Sequence, residues 1–166
     1  MPSVHKCAVP QGSLLAKYTH DGYADAYRVE LPGHISLPTF VKAFYTNWLF
    51  KVEAFILKYT VKRPSNDLEA QELANGTRTK FAAWDMEGRT ENELLMCDMM
   101  ERTRSWFMVT HENERTQLYF GSAVVPVKNP RTGKSSLGFL FVILLGFHQL
   151  YSYFLLYFAS RRLTHV

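Results

Sequence analysis

SSLGFLFVILLGFHQLYSYFLLYFAS, residues 135–160, runs for twenty-six residues without an Asp, Glu, Lys or Arg, and most of it is Leu, Phe, Tyr, Ile and Val. Such a run has to be hidden from water. As a helix it extends roughly 39 Å, long enough to span a bilayer, and long enough to lie across a small protein whose other elements cover its apolar surface. The two arrangements imply different architectures, and the rest of the chain has to be read against both.

Hydrophobic residues make up 47% of the 166 and aromatics 14%, with twelve Phe and nine Tyr. This is the composition and length of one domain with a sizeable core, and it excludes a disordered chain. Nineteen basic and fifteen acidic residues leave a net charge of +4 and a pI near 9.1. The two signs are interspersed, as in Lys51 and Glu53, Arg63 and Asp67, Glu101 and Arg102. That pattern is a solvated surface, so no nucleic-acid partner is expected. Cys7 and Cys97 stand in unrelated contexts with no partner at metal-ligand or redox spacing, which points to a reducing compartment and to no metal site. The first sixteen residues carry His5, Lys6, Pro10 and Gln11 and lack the apolar stretch of a secretory signal. A cytoplasmic location, or one on the cytoplasmic face of a membrane, is expected. Asn75-Gly76-Thr77 is read as a turn.

Residues 1–20 are read as an extension, followed by one domain over 21–163. The stretch 21–31 alternates, with Tyr23, Asp25, Tyr27, Val29 and Leu31 on one side and Ala24, Ala26, Arg28 and Glu30 on the other, and ends at Pro32-Gly33; this predicts a first strand. Ser36 is a helix cap ahead of Pro38, and Phe40, Val41, Phe44, Trp48, Leu49, Val52, Phe55, Ile56 and Tyr59 recur at helical spacing, predicting one bent helix or two short ones over 37–60. Ser65 or Asn66 caps a further helix with Asp67 and Glu69 in its first turn and Gly76 past its end. From Thr79 the period changes to two. Strands are expected at 79–88, 92–100, 103–111 and 116–127 as an antiparallel meander, with turns at 88–92, 101–102 and 110–115. A Pro/Gly/Lys/Ser connection over 128–136 then leads into the long apolar helix, taken as 137–162.

This order of elements resembles the helix-grip fold of the START-like superfamily (SRPBCC), which includes the Bet v 1-like and polyketide-cyclase-like proteins. The resemblance covers about 20–162. Arg102-Thr103-Arg104-Ser105-Trp106 and Tyr119-Phe120-Gly121-Ser122-Ala123-Val124-Val125 are similar to phrases in uncharacterised bacterial proteins of that group. The resemblance implies an α+β fold in which a curved antiparallel sheet wraps around a long C-terminal helix, with a helical pair after the first strand and an apolar cavity between sheet and helix. It does not select among lipid carriers, cyclases and receptors. The final helix departs from the pattern, because its polar positions thin out to His148, Gln149, Ser152 and Ser160. Its outer face is therefore covered by a second subunit, as in a homodimer, or lies against lipid through 137–160. Basic residues flank both ends and give no topology.

Several side chains carry candidate chemistry. His148, an imidazole in mid-helix, titrates near neutral pH and could serve as an acid/base with Asp98 orienting it and Tyr151 nearby; the plainer alternative is a satisfied buried histidine. Asp98 shares a strand face with Leu94, Met96 and Met100, and a buried carboxylate needs a partner, here Arg104 or Arg89. Trp106 and Arg104 offer an aromatic wall and a cation, and Trp84 and Tyr119 line a pocket in the same scheme, with Phe44, Trp48 and Phe50 as its mouth. Core packing accounts for the same residues without a ligand. A phosphate loop, a dinucleotide fingerprint, a nucleophile elbow, a zinc motif and a cysteine cluster are all missing from the sequence, and no cofactor is expected. The expectation is binding of a hydrophobic or aromatic small molecule, lipid or polyketide-like. The alternatives are a cyclase, dehydratase or isomerase in the same cavity, or a membrane-anchored interaction module with 137–160 as its tail.

Overall fold

The computed structural model describes residues 2–20, 22–47, 66–128, 135, 136 and 139–164, with side chains left undescribed at 127, 128, 135, 136 and 139–148. Its centre is a curved, seven-stranded antiparallel sheet in the order β1-β2-β7-β6-β5-β4-β3. The strands are β1 (His5–Cys7), β2 (Tyr23–Pro32), β3 (Lys80–Phe81), β4 (Trp84–Arg89), β5 (Glu93–Asp98), β6 (Thr103–Glu112) and β7 (Arg115–Val124). Strands β3 to β7 follow one another as an antiparallel meander, with the single strand expected at 79–88 folded back on itself at Ala82-Ala83 into β3 and β4, where Ala82 has φ 51°. Strand β2, made early, returns to pair with β7 along its full length, from Tyr23 opposite Val124 to Pro32 opposite Arg115. The turn between β6 and β7 is tighter than the alternation predicts. Asn113 and Glu114 alone form it, with φ of 47° and 59°, the paired left-handed residues that match the twist of a two-residue hairpin.

Three helices are described: α1 (Leu37–Tyr45), α2 (Asp67–Asn75) and α3 (Phe139–Thr164). Ser36 caps α1, accepting from the Thr39 amide. Asn66 rather than Ser65 caps α2, accepting from the Glu69 amide at 2.8 Å, and Gly76 ends it at φ 77°, where a side chain would be strained. The expected continuation of α1 to residue 60, with Trp48 and Phe50, lies outside the described residues. The far ends are tied across the fold: Arg162 donates to the Thr46 carbonyl at the end of α1, and Arg89 donates to the Leu73 and Ala74 carbonyls at the end of α2. A short pair, β8 (Val127–Lys128) with β9 (Ser135–Ser136), precedes α3.

Each face of the sheet carries its own apolar cluster. On one, Tyr27, Val29, Leu31, Leu94, Phe107, Val109, Leu118 and Phe120 meet Phe40, Phe44 and Tyr45 of α1, Leu73 of α2 and Leu155, Leu156 and Ala159 of α3. On the other, Ala26, Leu95, Trp106 and Ala123 are covered by the N-terminal segment, whose Leu15 is fully buried against them. The segment ahead of β2 is part of the sheet's packing. It supplies the edge strand β1 and a strap across the second face, held where the Leu14 amide and the Trp106 indole both donate to Glu93 Oε2, at 2.8 and 2.7 Å. Tyr18 donates to Glu87, which also receives Lys17 and Arg104. Burial alone pushes the Glu87 carboxyl up, but the hydrogen bonds from Lys17 and Tyr18 and the Arg104 charge outweigh it and hold it below its ordinary value.

Candidate functional site

The register of the sheet places one polar row in the face that the helices cover. Asp25 of β2 lies opposite Ser122 of β7, and Ser122 opposite Ser105 of β6. Since side chains alternate along a strand and Tyr27, Phe107 and Phe120 belong to the helix-side cluster, Asp25, Ser105 and Ser122 point to that same side. The row continues to Met96 opposite Ser105 and Met86 opposite Met96. The neighbouring row, Tyr27, Phe120, Phe107 and Leu94, is wholly apolar apart from one phenol.

Asp25 is 3% exposed, as is Ser122. Ser122 Oγ donates to Asp25 Oδ1 at 2.8 Å and the Tyr23 hydroxyl to Asp25 Oδ2 at 2.9 Å. From α3, Gln149 Nε2 donates to the Tyr23 oxygen at 2.6 Å, so the cluster bridges the sheet and the final helix. Tyr23, Ser105 and Gln149 are only half-buried, as are Trp84 and Met86 along the sheet; the row thus runs from a buried carboxylate to a rim that solvent reaches. Among the described residues no lysine, arginine or histidine forms an ion pair with Asp25.

Burial pushes the Tyr23 hydroxyl up to about 12; the Gln149 hydrogen bond opposes the rise, and the charge and hydrogen bond of Asp25 add to it. Tyr27 is pushed to about 12 by burial, then by Asp25 and Tyr23. A folded-state value above the unfolded one means that both phenols stabilise the fold fully below about pH 10 and that the contribution is lost as pH rises from about 10 through 12. An alkaline titration followed by phenolate absorbance should show Tyr23 and Tyr27 among the tyrosines that ionise late, together with loss of structure, and Tyr27→Phe should reduce that late fraction by one. Nine tyrosines ionising together near their ordinary value would mean that this cluster is open to water.

The side chains singled out in the sequence do not converge on one pocket. Arg104, Trp106 and Tyr119 share the strap-covered face, with Trp106 and Tyr119 ring centroids 6.2 Å apart. Arg104 Nε donates to Glu87 Oε2 at 2.5 Å and to the Tyr18 hydroxyl at 3.0 Å, and its guanidinium lies over the Tyr18 ring. Trp84 and Tyr151 belong to the opposite, helix-side cluster. Asp98 pairs with neither Arg104 nor Arg89: its Oδ1 accepts from the Arg102 and Thr103 amides at 2.7 and 3.0 Å and closes the β5–β6 turn, while Arg89 is spent on α2. The imidazole of His148 lies outside the described side chains. Asp25, not among the candidates named above, carries one signal in the sequence: it stands on the apolar side of β2 between Tyr23 and Tyr27.

Along α3, Leu150 is 55% exposed and Phe154 39%, with Tyr153, Tyr157 and Phe158 in ring contact beside them. Among the described residues no helix is long and apolar enough to cross a membrane, and no group of three or more His, Cys, Asp or Glu is placed to hold a metal ion. Comparison of the chain with protein families, with curated proteins and with solved structures found no match.

Proposed function

We propose that the chain binds a hydrophobic or aromatic small molecule between the helix-side face of the sheet and the C-terminal helix, in the manner of a helix-grip domain. The order of elements supports this: a first long strand, a helical stretch, an antiparallel meander that closes back onto the first strand, and a final helix laid against the sheet. The observation that carries the proposal is the buried Asp25–Ser122 pair leading to half-buried Ser105. Burying a carboxylate costs several kcal/mol unless it is well paired, and the next row shows the same sheet built from Phe and Leu. A polar row kept in that position, beside half-buried Trp84 and Met86, is what a site for an apolar molecule with one polar group requires. Two free cysteines fit a reducing, cytoplasmic setting for it.

The test is to purify the chain without detergent, extract it under denaturing conditions, and identify released compounds by mass spectrometry. In parallel, a neutral phenylnaphthylamine dye is titrated into the folded protein. A defined apolar compound and saturable dye binding at one per chain are expected, with Ser105→Trp abolishing dye binding while the circular dichroism stays native. No released compound together with no saturable dye binding would overturn the proposal.

A further inference from the structure

The side of α3 turned away from the sheet is an exposed apolar stripe, and we infer that it lies flat on an anionic lipid surface. Ser152, Leu155, Leu156 and Ala159 are buried and mark the side on which the helix meets the core. At about 100° per residue, Leu150, Phe154, Tyr157 and Arg161 fall together on the opposite side. Leu150 is 55% exposed and Phe154 39%, Tyr157 is half-buried and Arg161 is exposed. Aromatic rings run in rows beside the stripe, with Phe154 stacked on Phe158 at 6.2 Å and Tyr153 on Tyr157 at 6.4 Å. Rings of this kind, an apolar body with a phenol at its edge, favour the membrane–water boundary. Because its other side is committed to the core, the helix lies on the bilayer and does not thread it. This docking is independent of the ligand site proposed above.

Charge selects the partner. Glu114 is the last acidic side chain of the sequence: from Arg115 to Val166 six residues are Lys or Arg and none is Asp or Glu. The neighbouring α1, joined to α3 by the Arg162 bond to the Thr46 carbonyl, has no acidic residue either. Arg161, on the same stripe as Phe154, forms no ion pair among the described residues. Two copies brought together on this stripe would oppose cation to cation, with no acidic side chain in either helix to compensate. A layer of acidic phospholipid headgroups supplies the missing anions directly above an apolar boundary, so one surface meets both the rings and the guanidinium. Two exposed apolar side chains are a small contact, and stable attachment takes the electrostatic contribution as well.

The experiment measures cosedimentation of the full chain with vesicles of phosphatidylcholine alone and of phosphatidylcholine with about a third phosphatidylglycerol, alongside sedimentation velocity without lipid. At about 0.1 M salt, binding to the anionic vesicles should be about tenfold tighter or more than to the neutral ones, and weaker again at about 1 M salt. Arg161→Glu removes one positive charge and adds a negative one; at about fivefold per charge it should weaken binding about thirtyfold. Leu150→Gln combined with Phe154→Gln should weaken it about tenfold, with native circular dichroism, since both side chains stand at the surface. Equal binding to both vesicle types, or binding untouched by either variant, overturns the inference. So does a chain that is dimeric without lipid and monomeric with Leu150→Gln and Phe154→Gln, which gives the stripe to a second copy. A monomer that binds neither vesicle type overturns it too. Wild-type protein on the two vesicle types decides the matter even where a variant fails to fold.

Discussion

Gly121→Ala should destabilise the protein by about 3 kcal/mol, near the upper end of what overpacking costs. A Cβ at this position would lie 2.6 Å from Leu15 Cδ2, 2.8 Å from the Asp25 carbonyl oxygen and 2.9 Å from Trp106 Cε3. Leu15 can swing away; the β2 backbone and the fully buried indole cannot move as freely. Gly121 sits between Ala26 and Trp106 in the register of the strap-covered face, so three adjacent strands present small, none and large side chains there, and Leu15 fills the slot. Leu15→Ala alone should cost about 2–5 kcal/mol as a cavity. In the double variant the two costs should fall short of their sum, because removing Leu15 relieves one of the three clashes. Urea unfolding of the four proteins measures this. Full additivity of the two costs in the double variant would mean that Leu15 of the strap does not lie against Gly121.

Phe107→Ala should be as damaging or more so, about 3–5 kcal/mol, a large part of the 5–15 kcal/mol typical of a domain. Phe107 is fully buried and its ring stands 4.8 Å from Phe44, 5.4 Å from Tyr45, 5.7 Å from Phe40 and 5.3 Å from Phe120, centroid to centroid. It is the point where α1 seats on the sheet. Loss of helical circular dichroism at a lower urea concentration than wild type is the expected result, and Phe107→Leu should recover part of the loss because much of the volume remains. The neighbouring Trp106 faces the other way, so Trp106→Phe should spare α1 and instead release the strap, whose Leu14 amide shares Glu93 with the indole. Equal loosening of α1 and the strap by both substitutions would contradict the two-faced sheet.

What the sequence made legible were local features. The alternation over 103–111 and 116–127, the cap at Ser36, the cap at Ser65 or Asn66 and the stop at Gly76 are written within a few residues of where they act; the structure has strands at Thr103–Glu112 and Arg115–Val124, the second ending three residues early, and takes Asn66 as the second cap. The strap was hidden because Ser13-Leu14-Leu15-Ala16 has no period; its role comes from Gly121, more than a hundred residues on, which reads in isolation as a small residue among large ones. The polar row was hidden for the same reason. Whether Asp25 or Asp98 belongs to a buried site depends on what lies across the strand: Asp25 meets Ser122, whereas Asp98 turns back on its own hairpin. Alternation gives the face of a residue and leaves its cross-strand neighbour undetermined. Arg104 and Trp106 were correctly placed together on one face of β6, but the strap that covers that face could not be seen.

The pairing of β2 with β7 has a consequence for the order of events as the chain is made. Asp25 and Ser122 are 97 residues apart, and Tyr23 and Gln149 are 126 apart. A ten-residue strand must thus remain unpaired on its β7 side until nearly three quarters of the chain has been synthesised. Sheets closed by such distant partners fold in milliseconds to seconds, well behind their local hairpins. The β6–β7 hairpin, with its two-residue turn, is the natural first structure, and β2 and then α3 dock onto it. The cluster around the Asp25 carboxylate is accordingly complete only when Gln149 of α3 meets Tyr23.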